Sequence, residues 1–182
     1  RGKTFRWSGL YTSEDLNTRT TLDTQLNVFA DFTPKLNSDH TKSSYLFLAN
    51  IDPSLQWYVL ENMKIRPKLV ALDTMNFWID HKKEQVLKAI DKADILVLND
   101  SEARQLFDTP NLVKAANACL RLHTKAVIIK KGEHGALLFT DNKHFNAPGY
   151  PLENIKDPTG CGDSFGGALT GYLAKTKDLS ES

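Results

Sequence analysis

From residue 45 onward, short apolar runs alternate with longer amphipathic stretches. The apolar runs are close to the usual strand length of about five residues. They cover residues 45–49, 69–72, 95–98 and 126–129. The stretches between them, which place apolar residues on one helical face, cover residues 53–63, 79–93 and 112–122. This alternation predicts βαβ units, in which parallel strands form a sheet and the connecting helices pack against it.

The residues before and after this region favour β-structure. Residues 4–11 and 20–29 are rich in Thr, aromatic and aliphatic types, which is typical of paired strands. Residues 136–139 and 144–147 predict two shorter strands around a turn at Asp141 and Asn142. We therefore divide the chain into a β-rich segment, residues 1–33, and an α/β core, residues 45–182.

Composition excludes several classes of protein without choosing a function. The 182 residues include 23 Lys plus Arg and 22 Asp plus Glu, so no net field recruits nucleic acid or a membrane surface. No apolar stretch approaches the roughly 18 residues that indicate a membrane span. The two cysteines lack the spacing of a zinc site, and a reduced cytoplasmic setting is the simplest expectation. Any anionic ligand must therefore be held by a local site.

A glycine-rich string, Asp-Pro-Thr-Gly-Cys-Gly-Asp-Ser at residues 157–164, precedes a helical pattern. The apolar residues of this pattern are Phe165, Ala168, Leu169, Tyr172 and Leu173. Their spacing predicts a helix with this set as its buried face. The glycines then lie at a helix start, where unpaired backbone N–H groups and the helix dipole favour an anion.

Asp163 would lie beside this anion site. Its carboxylate could accept the proton of a substrate hydroxyl while the oxygen attacks a γ-phosphate, which is general-base catalysis. The alternative is a helix N-cap, a common role for Asp and Ser at the start of a helix. A generic glycine turn alone would favour the cap.

The longer string Asp-Pro-Thr-Gly-Cys-Gly-Asp-Ser-Phe-Gly-Gly-Ala-Leu resembles the second signature of the PfkB carbohydrate kinases, which include relatives of ribokinase, fructokinase and adenosine kinase. The resemblance implies a ribokinase-like fold, a doubly wound and mainly parallel sheet flanked by helices, with the remnant of a small β lid at the N-terminus. It implies that Asp163 is the catalytic base and that Gly160, Cys161 and Gly162 form the anion hole, with Thr159 beside the nucleotide. Cys161 is then a tolerated small residue and not a nucleophile.

Asn99-Asp100-Ser101-Glu102 directly follows the strand predicted at residues 95–98, at the end where open α/β sheets bind ligands. The segment resembles the NxxE motif of the same family. The resemblance implies that Glu102 helps to hold Mg²⁺ through water and that Asn99 contributes to the metal and nucleotide sites. The alternative is that Asn99 or Asp100 caps the next helix, with Glu102 in its first turn.

A second glycine pair, Gly132 and Gly135, follows the strand predicted at residues 126–129 and resembles the family's GxxG segment. The resemblance implies contact with the nucleotide, and a simple hairpin turn is the alternative. Lys130 has no assigned role, because an exposed strand lysine would explain it equally well. Asp73 begins a loose match to the family's D-x-N-x-R segment, but Asn76 is displaced by one position and the arginine is missing. We therefore expect no more of this segment than proximity to the site.

Together these resemblances imply an ATP- and Mg²⁺-dependent kinase acting on a hydroxyl of a sugar or nucleoside. Two alternatives stay open: a vitamin-type kinase of the same fold that acts on a hydroxymethylated heterocycle, and a non-catalytic regulatory protein that binds a nucleotide. The lid strands are the candidate contact of a homodimer. The chain lacks the family's early Gly-Gly substrate motif and its late adenine-contacting segment, so we expect a fragment with little or no activity alone.

Overall fold

The computed structural model describes residues 1–12 and 15–176, which form a large and a small β-sheet. The large sheet has six strands whose spatial order equals their order in the chain. They are β3 (Tyr45–Leu48), β4 (Leu69–Asp73), β5 (Ile95–Asn99), β6 (Ala126–Lys130), β7 (Ala136–Phe139) and β8 (His144–Ala147). Strands β3 to β6 are parallel, and β7 and β8 continue the sheet antiparallel. The predicted mainly parallel sheet is confirmed.

Within residues 1–12 and 15–176, five α-helices accompany the sheet. They are α1 (Pro53–Glu61), α2 (Asn76–Ile90), α3 (Asp100–Leu106), α4 (Leu112–Leu120) and α5 (Cys161–Thr176). The first four connect parallel strands that all advance in one direction, and right-handed crossovers of this kind place their helices on one face. None of the helices in residues 1–12 and 15–176 is long and apolar enough to span a membrane.

Each face of the sheet has its own apolar core. Alternate strand residues, among them Leu72, Leu98 and Ile129, face the helices that connect the strands. The residues between them, among them Ala71 and Val97, form a second cluster on the opposite face, which α5 covers. Helices on both faces confirm the doubly wound architecture.

The buried face of α5 differs from the one that apolar spacing predicted. The exposed fractions of Phe165 and Tyr172 are 38% and 65%. Gly166 is buried instead, and a Cβ built on it would lie 2.3 Å from the ring of Phe47 in β3. The buried or half-buried positions of α5 are Gly162, Gly166, Leu169, Thr170, Leu173 and Ala174. The predicted positions Leu169 and Leu173 do pack against the sheet, but Phe165, Ala168 and Tyr172 do not, because the absence of a side chain at Gly166 lets the helix approach the sheet through that position.

Two other helices differ from the predicted ones. Helix α2 begins three residues before the predicted start at residue 79 and is interrupted at Lys82, whose φ is −142° and ψ is 38°. At this interruption Lys82 Nζ donates to Oδ2 of Asp52, at 2.5 Å. Helix α3 is an additional element, only seven residues long, between β5 and α4.

The small sheet consists of β1 (Arg6–Thr12) and β2 (Asp15–Gln25), paired antiparallel. The predicted pairing of the N-terminal strands is confirmed, but the second strand stops at Gln25. Residues 27–29 form a one-turn 3-10 helix, and Asn27 has a left-handed φ of 50°. The side chain of Asn27 donates to the carbonyl oxygen of Thr4 at 2.8 Å, which fixes this turn against the start of the chain.

Candidate active site

The glycine turn precedes α5, as the sequence predicted. Gly160 has a φ of 82°, in the left-handed region that favours glycine. Its carbonyl oxygen accepts from the amide of Ser164 at 2.9 Å, which is the first bond of the helix. Before it, the carboxylate of Asp157 accepts from the amide of Thr159 at 2.8 Å. These side-chain and backbone hydrogen bonds from Thr159 lower the pKa of Asp157.

Two amides at this helix start are unpaired. The amide of Cys161 donates to the carbonyl oxygen of Pro158 at 3.2 Å, and that of Ser164 is used as described. In the described residues, the amides of Gly162 and Asp163 donate to no recorded acceptor. Such orphan amides, together with the positive end of the helix dipole, can bind an anion.

Asp163 is the third residue of α5, not the residue that precedes it. Its side chain is exposed, and no hydrogen bond to its carboxylate is recorded within residues 1–12 and 15–176. The N-cap alternative therefore does not describe Asp163, because a capping side chain bonds an amide of the first turn. Cys161 carries an exposed free thiol at the first helical position.

A buried ion pair lies beside the turn, and sequence alone did not indicate it. Asp73 ends β4 and Lys130 ends β6, on either side of β5. Lys130 Nζ lies 3.5 Å from Oδ1 of Asp73, and their side chains are only 17% and 6% exposed. The idea of an exposed strand lysine at residue 130 was therefore wrong.

This environment shifts the pKa of Asp73. Burial raises the pKa of Asp73, the charge of Lys130 and a hydrogen bond from the amide of Thr74 oppose that rise, and the negative charge of Asp163 adds to it. The carboxylates of Asp73 and Asp163 are thus close enough to interact electrostatically, with Lys130 beside both elements.

Asn99 and Glu102 form a capping box at the start of α3. The amide of Glu102 donates to Oδ1 of Asn99 at 2.8 Å, and the amide of Asn99 donates to Oε2 of Glu102 at 2.7 Å. The capping alternative thus describes contacts that are present. Asn99 is also the register partner of Lys130 in the β5–β6 pair, so this motif lies at the same sheet edge as the ion pair.

The donor set at this edge fits a metal that keeps most of its water. The described part of the chain contains no group of three or more His, Cys, Asp or Glu side chains that could hold a metal ion. The carboxylate of Glu102 and the amide oxygen of Asn99 are the ligand types that Mg²⁺ prefers, and Mg²⁺ usually binds through one or two carboxylates and several waters. The metal role of these residues stays a prediction.

Asn76, which the sequence left without a role, contacts the same segment. Its side-chain amide donates to Oε1 of Gln105 at 2.5 Å and lies 3.4 Å from Oγ of Ser101. The start of α2 is therefore tied to α3 at the carboxyl edge of the sheet.

The Gly132–Gly135 segment connects β6 and β7, which are antiparallel, so the hairpin alternative matches the backbone. Both glycines have a positive φ, 55° at Gly132 and 85° at Gly135. A Cβ on Gly135 would lie 2.0 Å from the carbonyl oxygen of Ala147. Backbone shape and packing thus account for these glycines, and their contact with a nucleotide stays a prediction.

A cavity of about 660 Å³ lies between β1 and the glycine turn. From β1 it is lined by Trp7, Ser8, Gly9, Tyr11 and Thr12, and from the turn by Lys156, Asp157, Pro158 and Thr159. The indole of Trp7 lies against Gly9, where a Cβ would be 2.1 Å from the ring. The small sheet therefore faces the turn, and it contributes aromatic residues that the sequence did not single out.

Comparison with known proteins identifies the family. The sequence pattern of the pfkB family of carbohydrate kinases matches residues 12–182. The chain belongs to this family. It is 25% identical over 152 residues to a nucleoside kinase of Methanocaldococcus jannaschii, an alignment that covers 81% of the chain and 47% of that protein. The chain spans about half the length of the curated relatives it matches.

Solved structures of pfkB-type proteins have the same fold. The adenosine kinase of Sinorhizobium meliloti superposes with a TM-score of 0.78 at 19% identity, covering 94% of this chain and 55% of that one. A Ribokinase II-type protein of E. coli in complex with ATP and Mg²⁺ gives a TM-score of 0.59 at 24% identity, covering 69% and 41%. The ribokinase-like fold implied by the signature is confirmed.

Proposed function

We propose that this pfkB-family chain carries the phosphate-binding and catalytic part of an ATP- and Mg²⁺-dependent kinase that phosphorylates a hydroxyl of a sugar or nucleoside. The observation that carries the proposal is the pair of unpaired amides at Gly162 and Asp163, directly beside the free carboxylate of Asp163. The names of the relatives, nucleoside kinase and adenosine kinase among them, support this class of acceptor.

The N–H groups of Gly162 and Asp163 point their positive ends at the transferred phosphoryl group from fixed positions. Phosphoryl transfer depends mainly on positioning and on stabilising charge, because the protein has little covalent chemistry to perform. Donors that are already oriented by the first turn of α5 need no reorganisation when negative charge builds up on the phosphoryl oxygens. The donors of the proposed anion hole are thus the amides of Gly162 and Asp163, whereas the amide of Cys161, which the resemblance also implied, donates to the carbonyl oxygen of Pro158.

The carboxylate of Asp163 accepts the proton of the acceptor hydroxyl. It is exposed and makes no recorded hydrogen bond in the described residues, so its oxygens are available to a substrate. The cavity between β1 and the glycine turn is the candidate place for that substrate, and residues 1–33 are then its lid. Bound Mg²⁺ would neutralise the phosphate charge, with Glu102 and Asn99 holding it through water.

The proposal is tested with Asp163→Asn in the longest natural reading frame that contains the chain, since we expect little turnover from the 182 residues alone. This change keeps the shape of the side chain and removes the base. We expect kcat to fall by about 10²- to 10⁴-fold, the usual contribution of a general base, with little change in nucleotide affinity. The matched control is Asp141→Asn, an exposed residue of the β7–β8 turn, which should leave kcat unchanged. An unchanged kcat in Asp163→Asn would refute the assignment.

ADP release is measured with sugars, nucleosides and hydroxymethylated heterocycles as acceptors. Both the 182-residue chain and the longest natural reading frame that contains it are assayed, and we expect little turnover from the 182 residues alone. Turnover only with the heterocycles would favour the vitamin-type kinase. Nucleotide binding without turnover in the longer protein would favour the regulatory protein. The homodimer through β1 and β2 and the cytoplasmic location stay predictions.

A further inference from the structure

The ammonium group of Lys130 lies against the glycine turn. A Cβ built on Gly162 would lie 3.0 Å from Nζ and 4.0 Å from Cε of Lys130. Any side chain at residue 162 would therefore compete with the ammonium for space. The second glycine of the turn has a positional reason that is separate from backbone conformation, since it leaves room for this cation beside the unpaired amides.

The ion pair of Lys130 with Asp73 is loose. Its shortest recorded N···O distance is 3.5 Å, longer than the 2.7–2.9 Å or so of a tight charge-assisted hydrogen bond. In the described residues, Asp73 is the one acidic partner of Lys130 recorded within ion-pair distance. The ammonium can therefore bind a further acceptor without first losing a strong bond.

Burial of the ion pair has a cost in desolvation free energy that the attraction between the two charges does not explain. Both side chains are largely removed from water, with 17% of Lys130 and 6% of Asp73 exposed. Buried ion pairs contribute little to stability, because the cost of desolvation offsets most of the attraction. A buried cation that touches an anion-binding turn is, in contrast, screened little by solvent and attracts a phosphate strongly.

We propose that Lys130 is a further phosphate-binding residue, whose ammonium binds oxygens of the transferred phosphoryl group together with the amides of Gly162 and Asp163. Asp73 holds the ammonium in place before the anion arrives. This inference rests on the proposed function, because it assigns a cation to the same anion hole. No bond is made or broken to Lys130; it supplies charge and one or more N–H donors.

The test uses the 182-residue chain and inorganic pyrophosphate, so that it requires neither an adenine site nor an acceptor. Binding is followed through the backbone amide resonances of Gly162 and Asp163 during a titration. We expect Lys130→Met to raise the Kd for pyrophosphate by about 10- to 100-fold, the effect of losing a charged hydrogen-bond partner. Lys130→Arg, which keeps the charge, should restore part of the affinity.

Lys143→Met is the matched control. It removes the same charge from an exposed residue of the β7–β8 turn, at the opposite edge of the sheet, and should change the Kd less than twofold. Lys130→Thr, a neutral residue suited to a strand, repeats the test if the methionine variant does not fold. Amide spectra of each variant confirm folding before titration.

The outcomes separate this inference from the function on which it rests. If pyrophosphate shifts the Gly162 and Asp163 amides with the same Kd in wild type and in the neutral Lys130 variants, the role of Lys130 is refuted and the anion hole stands. If it shifts neither amide in the wild type, the anion hole itself fails, and the role of Lys130 fails with it. A weaker affinity for pyrophosphate in the neutral Lys130 variants, with the affinity of Lys143→Met unchanged, supports both the anion hole and the role of Lys130.

Discussion

Asp94 and Asp73 are both buried carboxylates, but they lie at opposite edges of the six-stranded sheet. Asp94 precedes β5 at the amino edge, and its Oδ2 accepts from the amide of Val70 at 2.8 Å. Its side chain also pairs with Lys125 at 3.0 Å and with Arg66 at 3.8 Å. This carboxylate therefore connects the starts of β4, β5 and β6.

Asp73 at the carboxyl edge has fewer partners. It accepts from the amide of Thr74, the next residue, and its ion pair with Lys130 is the loose contact beside the glycine turn. The two edges of the sheet therefore differ in how their buried charges are used. At the amino edge, the carboxylate of Asp94 connects neighbouring strands. At the carboxyl edge, the charges of Asp73 and Lys130 stay available to a ligand. Three variants test this difference.

Asp94→Ala should have the largest effect on stability. It leaves the buried amide of Val70 without an acceptor, and an unsatisfied buried donor costs about 1–3 kcal/mol. With the loss of both ion pairs, we expect the free energy of unfolding to fall by about 2–3 kcal/mol in urea titrations. Asp91→Ala, an exposed neighbour that pairs with His123, should cost about 0.5 kcal/mol or less. Equal losses of unfolding free energy in the two variants would contradict the role of Asp94 in connecting the strands.

Asp73→Asn should change stability by about 1 kcal/mol or less at neutral pH, because burial already disfavours the charged carboxylate and the amide oxygen of the new side chain can still accept from Lys130. The variant is better distinguished from wild type by how its stability depends on pH. The pKa of Asp73 is raised by burial in the folded state, so between that raised value and 3.8 the folded protein binds more protons than the unfolded one. Wild type should therefore gain stability relative to the variant as the pH falls towards 3.8.

Asp52→Asn is the control for that pH profile. Burial alone would raise the pKa of Asp52, but hydrogen bonds from Lys82 and Ser54 outweigh it and lower the pKa. The stability that ionised Asp52 contributes is present above 3.8 and is lost as the pH falls through the lowered value. Urea titrations from pH 7 downward should give opposite trends for the two variants, and parallel trends would contradict the contrast.

Lys125→Met should have the smallest effect. Its side chain is 75% exposed, so water replaces the ion pair with Asp94, and a surface pair is worth about 0–1 kcal/mol. We expect a loss near 0.5 kcal/mol by urea titration, and the difference from wild type should shrink at high salt. A loss above about 2 kcal/mol would mean that Lys125, and not the Val70 amide, accounts for the effect of Asp94.

Periodicity predicted most of the sheet because its central strands β4, β5 and β6 are continuous apolar runs that are buried on both faces. It did not predict α3, which has only seven residues and follows its strand without a loop. For α5 it placed Leu169 and Leu173 correctly but missed Gly166, since apolar spacing cannot show that a glycine provides the close contact.

The glycine turn could be predicted because its residues are contiguous, so that one string contains both the amides and the carboxylate. The pair of Asp73 and Lys130 could not, because the two residues are 57 positions apart in the numbering and meet only through the register of β4, β5 and β6. In the sequence, each is a single charged residue at the end of a strand, and neither position indicates a partner.

The order of the strands has a consequence for how the chain assembles. Each strand from β4 to β8 pairs with its predecessor in the chain, so the sheet can grow through connections of moderate length. Helix α5, in contrast, must return to β3, where Gly166 meets Phe47. Closing so long a loop costs more entropy and delays the contact. We therefore expect α5 to dock late, which would bring the glycine turn to an edge that the sheet has already formed.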